Sequence, residues 1–346
     1  MDKNCHSCKK ETRWYKEKLF IILSILFAIQ IIHFIFDYLG ITILHNLLIS
    51  FYECIGLIWL PILVGFLLGG IIDYFIPREY IIKYLAQHRK RTILNAVGLG
   101  FLMSACSHGI LAISVEIYKK GASTPAVIAF LLASPWANLP ITILLFGLFG
   151  VKALLFVSFA IIIALITGFI YQLLDKRGLI ECSTNKLDKE FSILEDIKKR
   201  FKNYKFNLQN LKKDFIGVLK GSWELTKMVL WWILIGTFLA SVARTYVPPH
   251  FFMNFLGATL LGLIITLILA TILEICSEGT APLAFEIYRQ TKAFGNSFVF
   301  LMAGVATDYT EIGLIWSNIG KRVALWLPII TVPQILILGY LFNILI

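Results

Sequence analysis

Nine apolar runs, each about as long as a bilayer is thick, fill most of the chain: 19–39, 55–76, 92–118, 123–149, 152–174, 223–246, 254–288, 294–316 and 323–345. About 20 such residues cross about 30 Å of hydrocarbon as a helix. In that medium every backbone polar group must be satisfied internally, so helices are the expected solution. The expected fold class is an all-α integral membrane protein. Composition agrees: 58% of residues are hydrophobic and 15% charged, against about 25% charged in soluble domains. That balance excludes disorder and argues against a soluble enzyme. Six cysteines in 346 residues do not make a secreted disulfide framework. The first run lacks a small-residue cleavage site and reads as a retained span.

Charge orders the spans. The net charge is +11, and in a membrane protein such an excess collects in cytoplasmic loops, so nucleic acid is not the implied partner. Nine simple crossings would put the basic N-terminus and the basic segment 175–222 on opposite sides. Two runs, however, are interrupted midway, by Cys106-Ser107-His108-Gly109 and by Cys276-Ser277-Glu278-Gly279. If each is a re-entrant hairpin, 27 of the 32 Lys/Arg fall on one side, in 1–18, 78–91, 119–122, 175–222 and 317–322. Irregular backbone at membrane depth is tolerated where protein or a water-filled cavity covers it. A rival arrangement makes 123–149 the hairpin, broken at Ser134-Pro135-Trp136. Both arrangements place the N-terminus and 175–222 in the cytoplasm and the chain in the cell membrane.

The two interruptions are copies. At an offset of 170, Cys106-Ser107-x-Gly109, Glu116-Ile117-Tyr118 and Phe130-Leu131-x-Ala133 are repeated, and Asn138 falls on Asp308. At an offset of 171, Gly65 falls on Gly236 and Pro77 on Pro248. The expected organisation is a cytoplasmic tail (1–18), an extra transmembrane helix with an outer loop (19–54), a first membrane repeat (55–174), a basic amphipathic linker (175–222) and a second repeat (223–346). Each repeat makes three crossings, so the second is inverted. Inverted repeats with broken helices are a transporter architecture that binds its cargo near the midplane. The lipid bilayer is the first partner. A homo-oligomer is compatible with the sequence, and no cofactor or enzymatic motif is evident.

Candidate site residues follow from the breaks. Ser107 and Ser277 can cap the half-helices that begin there. Cys106, Cys276 and His108 could share a soft metal or metalloid ligand, although a small buried Cys also serves as plain packing. Glu274, Glu278, Asp308 and Glu311 lie deep in the second repeat, where ionisable groups are costly and usually functional; proton coupling or cation attraction suits them. Trp136, Asn138 and Thr307 flank the breaks and complete the proposed cargo site. In Ser134-Pro135-Trp136-Ala137-Asn138-Leu139-Pro140, the prolines remove ladder donors, and Asn138 is expected to satisfy a freed carbonyl. Glu116 and Glu286 sit about 15 Å from the breaks and read as helix-surface ion pairs with Lys120 and Arg289. Cys5-His6-Ser7-Cys8 is at most half a zinc site. Phe191 to Val218 alternates apolar and basic residues as an interfacial helix does.

Lys120-Gly121-Ala122-Ser123 with Ala129-Phe130-Leu131-Leu132-Ala133-Ser134-Pro135-Trp136-Ala137-Asn138, after a Cys-Ser break, resembles the predicted-permease family of ArsP-type organoarsenical exporters. Leu219 to Pro248 is also similar to that family's lead into its second half, and the resemblance covers roughly 50–345. It implies efflux of a small thiol-reactive metal(loid) or organometal(loid), such as a trivalent organoarsenical. Gly304-Val305-Ala306-Thr307-Asp308 departs from the Gly-Pro-Met run the family more often carries there, and His108 also departs from the pattern. A permease for an unrelated small organic solute and a non-transporting membrane scaffold are the alternative readings.

Overall fold

The computed structural model describes residues 17–39, 43–75, 85, 92–103, 107–181, 208–273 and 275–346. Among these there are helices and no strands. The chain runs α1 (Lys18–Tyr38), α2 (Ile43–Phe75), α3 (Thr92–Leu102), α4 (Ser107–Lys119), α5 (Thr124–Ala137), α6 (Leu139–Phe149), α7 (Ala153–Lys176), α8 (Leu208–Tyr246), α9 (Pro249–Leu256), α10 (Leu260–Leu273), α11 (Ser277–Thr291), α12 (Phe294–Ala306), α13 (Tyr309–Asn318) and α14 (Lys321–Leu345). Among the described residues six stretches are apolar and long enough to cross a membrane, or seven if the bent pair α9–α10 is one span. One of the six, 124–176, comprises α5, α6 and α7. It doubles back at Gly150, whose positive φ of 58° suits a residue without Cβ.

The packing fixes the direction of each helix. Gly100, near the end of α3, lies against Phe130, Ala133 and Ser134 near the end of α5. At the other end, Ile93 and Ala129 meet on Gly168 of α7. So α3 runs parallel to α5. Helix α4 closes back onto the start of α5 through Gly121, which has φ 97°. Both ends of the α3–α4 pair therefore lie on one face, which makes it a re-entrant hairpin. The second half repeats this. Asn296 of α12 donates to Thr266 of α10 (3.1 Å), and Thr271 meets Thr307 at 2.7 Å, so α10 runs parallel to α12. Ser297 donates to the Ala284 carbonyl of α11 (2.7 Å), as the antiparallel return requires. Segments 92–118 and 254–288 are thus the hairpins, and 123–149 is a crossing segment with a break in it.

The two hairpins enter from opposite faces. Thr124 donates to the Glu181 carbonyl (2.7 Å), and Glu181 meets the start of α14. These residues, with Lys119, Lys120, Lys176, Arg177, Lys321 and Arg322, form a basic face from which α3–α4 enters. Lys152 reaches the Tyr288 hydroxyl at 2.7 Å on the opposite face, from which α10–α11 enters. Helices α2 and α8 run antiparallel between the halves: Tyr74 donates to Asp214 at one end (2.8 Å), and Arg244 pairs with Glu53 at the other (2.6 Å).

Three boundaries differ from the sequence expectation. Residues 43–54, expected in an outer loop, are the first turns of α2. Their polar side chains interrupt the apolar run, but Ser50 and Glu53 are spent on Thr245 and Arg244 of α8. The run beginning at 254 is split by a 103° bend between α9 and α10. Helix α8 begins at Leu208, so the last part of the basic linker is continuous with the span. The Cys5–Cys8 tail and linker residues 182–207 lie outside the described residues.

Candidate functional site

Each half has one crossing segment that stops and restarts in mid-membrane, and the same device makes both breaks. Asn138 is extended (φ −63°, ψ 160°), and its Oδ1 accepts the Ile141 N–H at 2.9 Å. Asp308 leaves the helical region (φ −57°, ψ 113°), and its Oδ1 accepts the Glu311 N–H at 2.9 Å. Each side chain satisfies a donor that the new half-helix leaves open. Asn138 therefore serves a freed N–H and not the freed carbonyl expected from sequence. Its Oδ1 is thus occupied, while its Nδ2 has no hydrogen-bond partner among the described residues, in a residue that is 0% exposed. One turn back, the Ser134 hydroxyl is equally buried and, among the described residues, equally without a partner.

At the second hairpin tip, Cys276 is the N-cap residue of α11 and makes no side-chain cap bond. Its thiol donates to Glu278 Oε2 at 2.6 Å, and the Ser277 hydroxyl donates to the same oxygen at 3.1 Å. Ser277 is thus one residue too late to cap, and its hydroxyl turns to the carboxylate instead. All three side chains are buried. In hydrocarbon a lone carboxylate is expensive; here two donors converge on one of its oxygens.

Glu278 faces the seam between the halves. It shares a cavity of about 10 Å³, room for about one water, with Gly65 and Phe66 of α2, Pro140 and Leu144 of α6, and Val229 and Ile233 of α8. Backbone approach makes this seam tight: a Cβ at Gly236 would overlap the Gly279 carbonyl, and one at Gly279 would crowd the Trp232 carbonyl. Trp136, fully buried, crosses the seam and donates from Nε1 to the Met302 carbonyl at 3.2 Å. Thr307 bonds its own helix at Ala303 (2.8 Å) as well as Thr271.

The structure therefore brings Trp136 to the second half, places Glu278 beside the break at Asn138, and joins Cys276, Ser277 and Glu278 directly. Asp308 and Glu311 meet through the helix cap, both nearly inaccessible. Cys106 and Glu274 lie outside the described residues. Ser107 and His108 begin α4, but their side chains are outside the described part, so the shared Cys106–His108–Cys276 ligand set is a proposal. Among the described residues no cluster of three His, Cys, Asp or Glu side chains is arranged to hold a metal. Glu116 pairs with Lys120 at 2.8 Å on an exposed surface, as expected. Glu286 pairs with Arg289 (3.1 Å) and Gln290 (2.8 Å), but it is buried at 2% exposure. Its side of α11 is covered by α8 to α10, which a single-helix reading could not reveal. The Ser134 hydroxyl was also missed; its spacing of four from Asn138 was the available signal.

A family model described as a predicted permease matches residues 43–344. The UPF0718 protein YcgR of Bacillus subtilis is 26% identical, over 75% of this chain and 84% of that one. A Streptococcus mutans protein, provisionally named a two-component membrane permease complex subunit, is 26% identical over 72% of this chain and 79% of its own. A provisionally named permease of Mycobacterium tuberculosis is 24% identical, over 78% of this chain and 70% of that one. No solved structure matches the chain significantly.

Proposed function

The chain belongs to the predicted permease family, and from that premise we propose that this multi-pass membrane permease exports a small thiol-reactive metal(loid) or organometal(loid), such as a trivalent organoarsenical, in exchange for protons. The observation that carries the proposal is the thiol of Cys276 donating to the buried carboxylate of Glu278 at 2.6 Å. A thiol is a soft ligand only once it loses its proton, and Glu278 is placed to receive it. For a trivalent arsenic hydroxide the step balances. The thiol proton passes to Glu278, the S–As bond forms, an As–O bond breaks, and the proton leaves with the departing hydroxide as water. The reverse sequence releases the cargo on the other side. Cys106 and His108, at the tip of the inverted hairpin, are proposed as the receiving ligands.

Asp308 is proposed as the main proton-coupling acid, assisted by Glu311 and Glu274. The basic face is proposed to be cytoplasmic by the positive-inside rule, with the N-terminus and 175–222 on that side of the cell membrane. The division into repeats 55–174 and 223–346 is part of the same reading. The name of the Streptococcus relative supports a second subunit as a partner, alongside a homo-oligomer.

The test is uptake of methylarsenous acid into inside-out vesicles under an imposed pH gradient. Wild type should load the vesicles, and Cys276→Ser should lower uptake at least tenfold while remaining in the membrane. Full uptake by Cys276→Ser would leave the cysteine as packing and favour a permease for an unrelated organic solute. No transport of any tested solute by wild type would favour a scaffold.

A further inference from the structure

We propose that Ser134 Oγ and Asn138 Nδ2 form an oxygen-recognition subsite, which takes a hydroxyl or oxo oxygen of the cargo and turns away a bare metal cation. The proposal rests on the transport reading above and adds Ser134, and the polarity of Asn138, to it.

Both groups are fully buried, and neither has a partner among the described residues. Native interiors seldom leave such groups unmet, and here two stand together. Asn138 N–H donates to the Ser134 carbonyl at 2.9 Å, so the residues are one helical turn apart and share a helix face. The cap bond to Ile141 uses Asn138 Oδ1 and leaves the amide nitrogen to face inward. An amide nitrogen donates and cannot accept. A cation offers it nothing and is repelled by its hydrogens. A serine hydroxyl can donate in the same direction. The pair therefore calls for an acceptor: an oxygen bound to the cargo or, between transport events, a water.

The pair lies near the seam that Glu278 faces. Pro140, two residues past Asn138, lines the same small cavity as Glu278. Trp136, between the two residues, is tied across the seam to Met302. In the second half the corresponding positions are Gly304 and Asp308, an absent side chain and an acid. A Cβ at Gly304 would meet only the Thr280 methyl, at 3.9 Å. These two donors stand in one half, and the Cys276 thiol with Glu278, Asp308 and Glu311 in the other. A cargo with a soft centre and an oxygen ligand would be gripped from both.

Ser134→Ala removes only the hydroxyl. Asn138→Asp keeps an acceptor for the Ile141 N–H and replaces the donor with an acceptor. Uptake of methylarsenous acid and of Zn²⁺ would be measured in inside-out vesicles, with thermal unfolding in detergent as the folding control. Wild type should take up methylarsenous acid and exclude Zn²⁺. Ser134→Ala should raise KM for methylarsenous acid severalfold with kcat little changed. Asn138→Asp should lower methylarsenous acid uptake at least tenfold and admit Zn²⁺. Should Asn138→Asp fail to fold, Ser134→Ala decides alone. Unchanged KM in a folded Ser134→Ala protein, or Zn²⁺ uptake by wild type equal to that of methylarsenous acid, overturns the subsite and leaves the transport reading standing. If wild type moves neither solute, the transport reading fails and the subsite falls with it.

Discussion

The two mid-membrane breaks are built alike and furnished differently. At the first, Pro135 and Pro140 flank Asn138; at the second, Val305 and Thr310 occupy those positions around Asp308. Yet both side chains hold the N–H three residues on at the same 2.9 Å. The prolines are therefore not what breaks the helix, because the second half breaks without them. The shared cause is a residue that leaves the helical region and caps the next half-helix, and Asn and Asp do that about equally well. The two breaks share the cap and differ in its chemistry. A neutral amide stands in one half, and a carboxylic acid in the other. The proposed function resides in that difference.

The largest expected effect comes from erasing the difference. Asp308→Asn gives both breaks the same residue, with the cap retained. We expect pH-driven transport to fall at least tenfold, while expression and thermal unfolding stay close to wild type. Wild-type rates with the substitution present would remove Asp308 from the coupling scheme. A large loss of stability would show instead that the acid is a structural partner.

The hairpin tips extend the comparison. Cys276→Ser and Cys106→Ser should each cost resistance to a trivalent organoarsenical in a sensitive host, since Ser is nearly isosteric but a poor soft ligand. Glu278→Gln keeps an acceptor for the thiol and loses the base, so its defect should persist at every pH. A double Cys→Ser protein that is made normally and still protects the host would return both cysteines to packing.

The glycines at offset 171 predict an inequality of stability. An added Cβ at Gly236 would overlap the Gly279 carbonyl, whereas one at Gly65 would stand 3.2 Å from Pro140 Cα. Gly236→Ala forces the hairpin α10–α11 away from α8, and overpacking of this kind costs about 1–3 kcal/mol or more. Gly65→Ala needs only a slight shift. Thermal unfolding in detergent should drop clearly for the first and little for the second; equal drops would mean that the seam yields on both sides.

Much of this could be read from the sequence, for a physical reason. The 170-residue offset and the positive-inside rule both act on the chain as written, so an inverted arrangement with broken segments was legible in the sequence, while the choice between 92–118 and 123–149 as the first hairpin needed the packing of α3 against α5. What the sequence hid lies in three-dimensional neighbours. Residues 43–54 read as a loop because Ser50 and Glu53 are polar, and only α8 shows that they are satisfied. Glu286 read as a surface residue because it lies about 15 Å from the break with Arg289 three residues on, while the cover comes from α8 to α10. Ser277 read as a cap because the helix start was placed one residue off. Its actual work, a hydroxyl donated to Glu278, depends on that single residue of register.

The smallest effect tests how the halves are held together. On the opposite face the tie is Lys152 to the Tyr288 hydroxyl; on the basic face it is Glu181, whose carboxylate accepts the N–H groups of Arg322 (3.1 Å) and Val323 (3.2 Å) at the start of α14. Burial pushes the Glu181 carboxyl up, but the backbone N–H groups and the Arg322 charge outweigh it and hold the group below its ordinary value of 4.5. A carboxylate at a helix N-terminus is favoured in its charged form. Because the folded value is depressed, the stabilisation is fully present above the ordinary value and is lost as pH falls through the folded value. Glu181→Gln should therefore unfold slightly more easily than wild type near pH 7, and the two curves should converge as the pH falls below about 4. Glu181 is largely solvent-screened, so the gap should be modest, of the order of an exposed pair. Lys152→Met, which breaks the opposite tie, should show no such convergence, since that tie contains no carboxylate. A gap between wild type and Glu181→Gln that stays constant down to low pH would mean that the contact is held by shape and not by charge. The basic-face tie would then be no different in kind from its counterpart across the membrane.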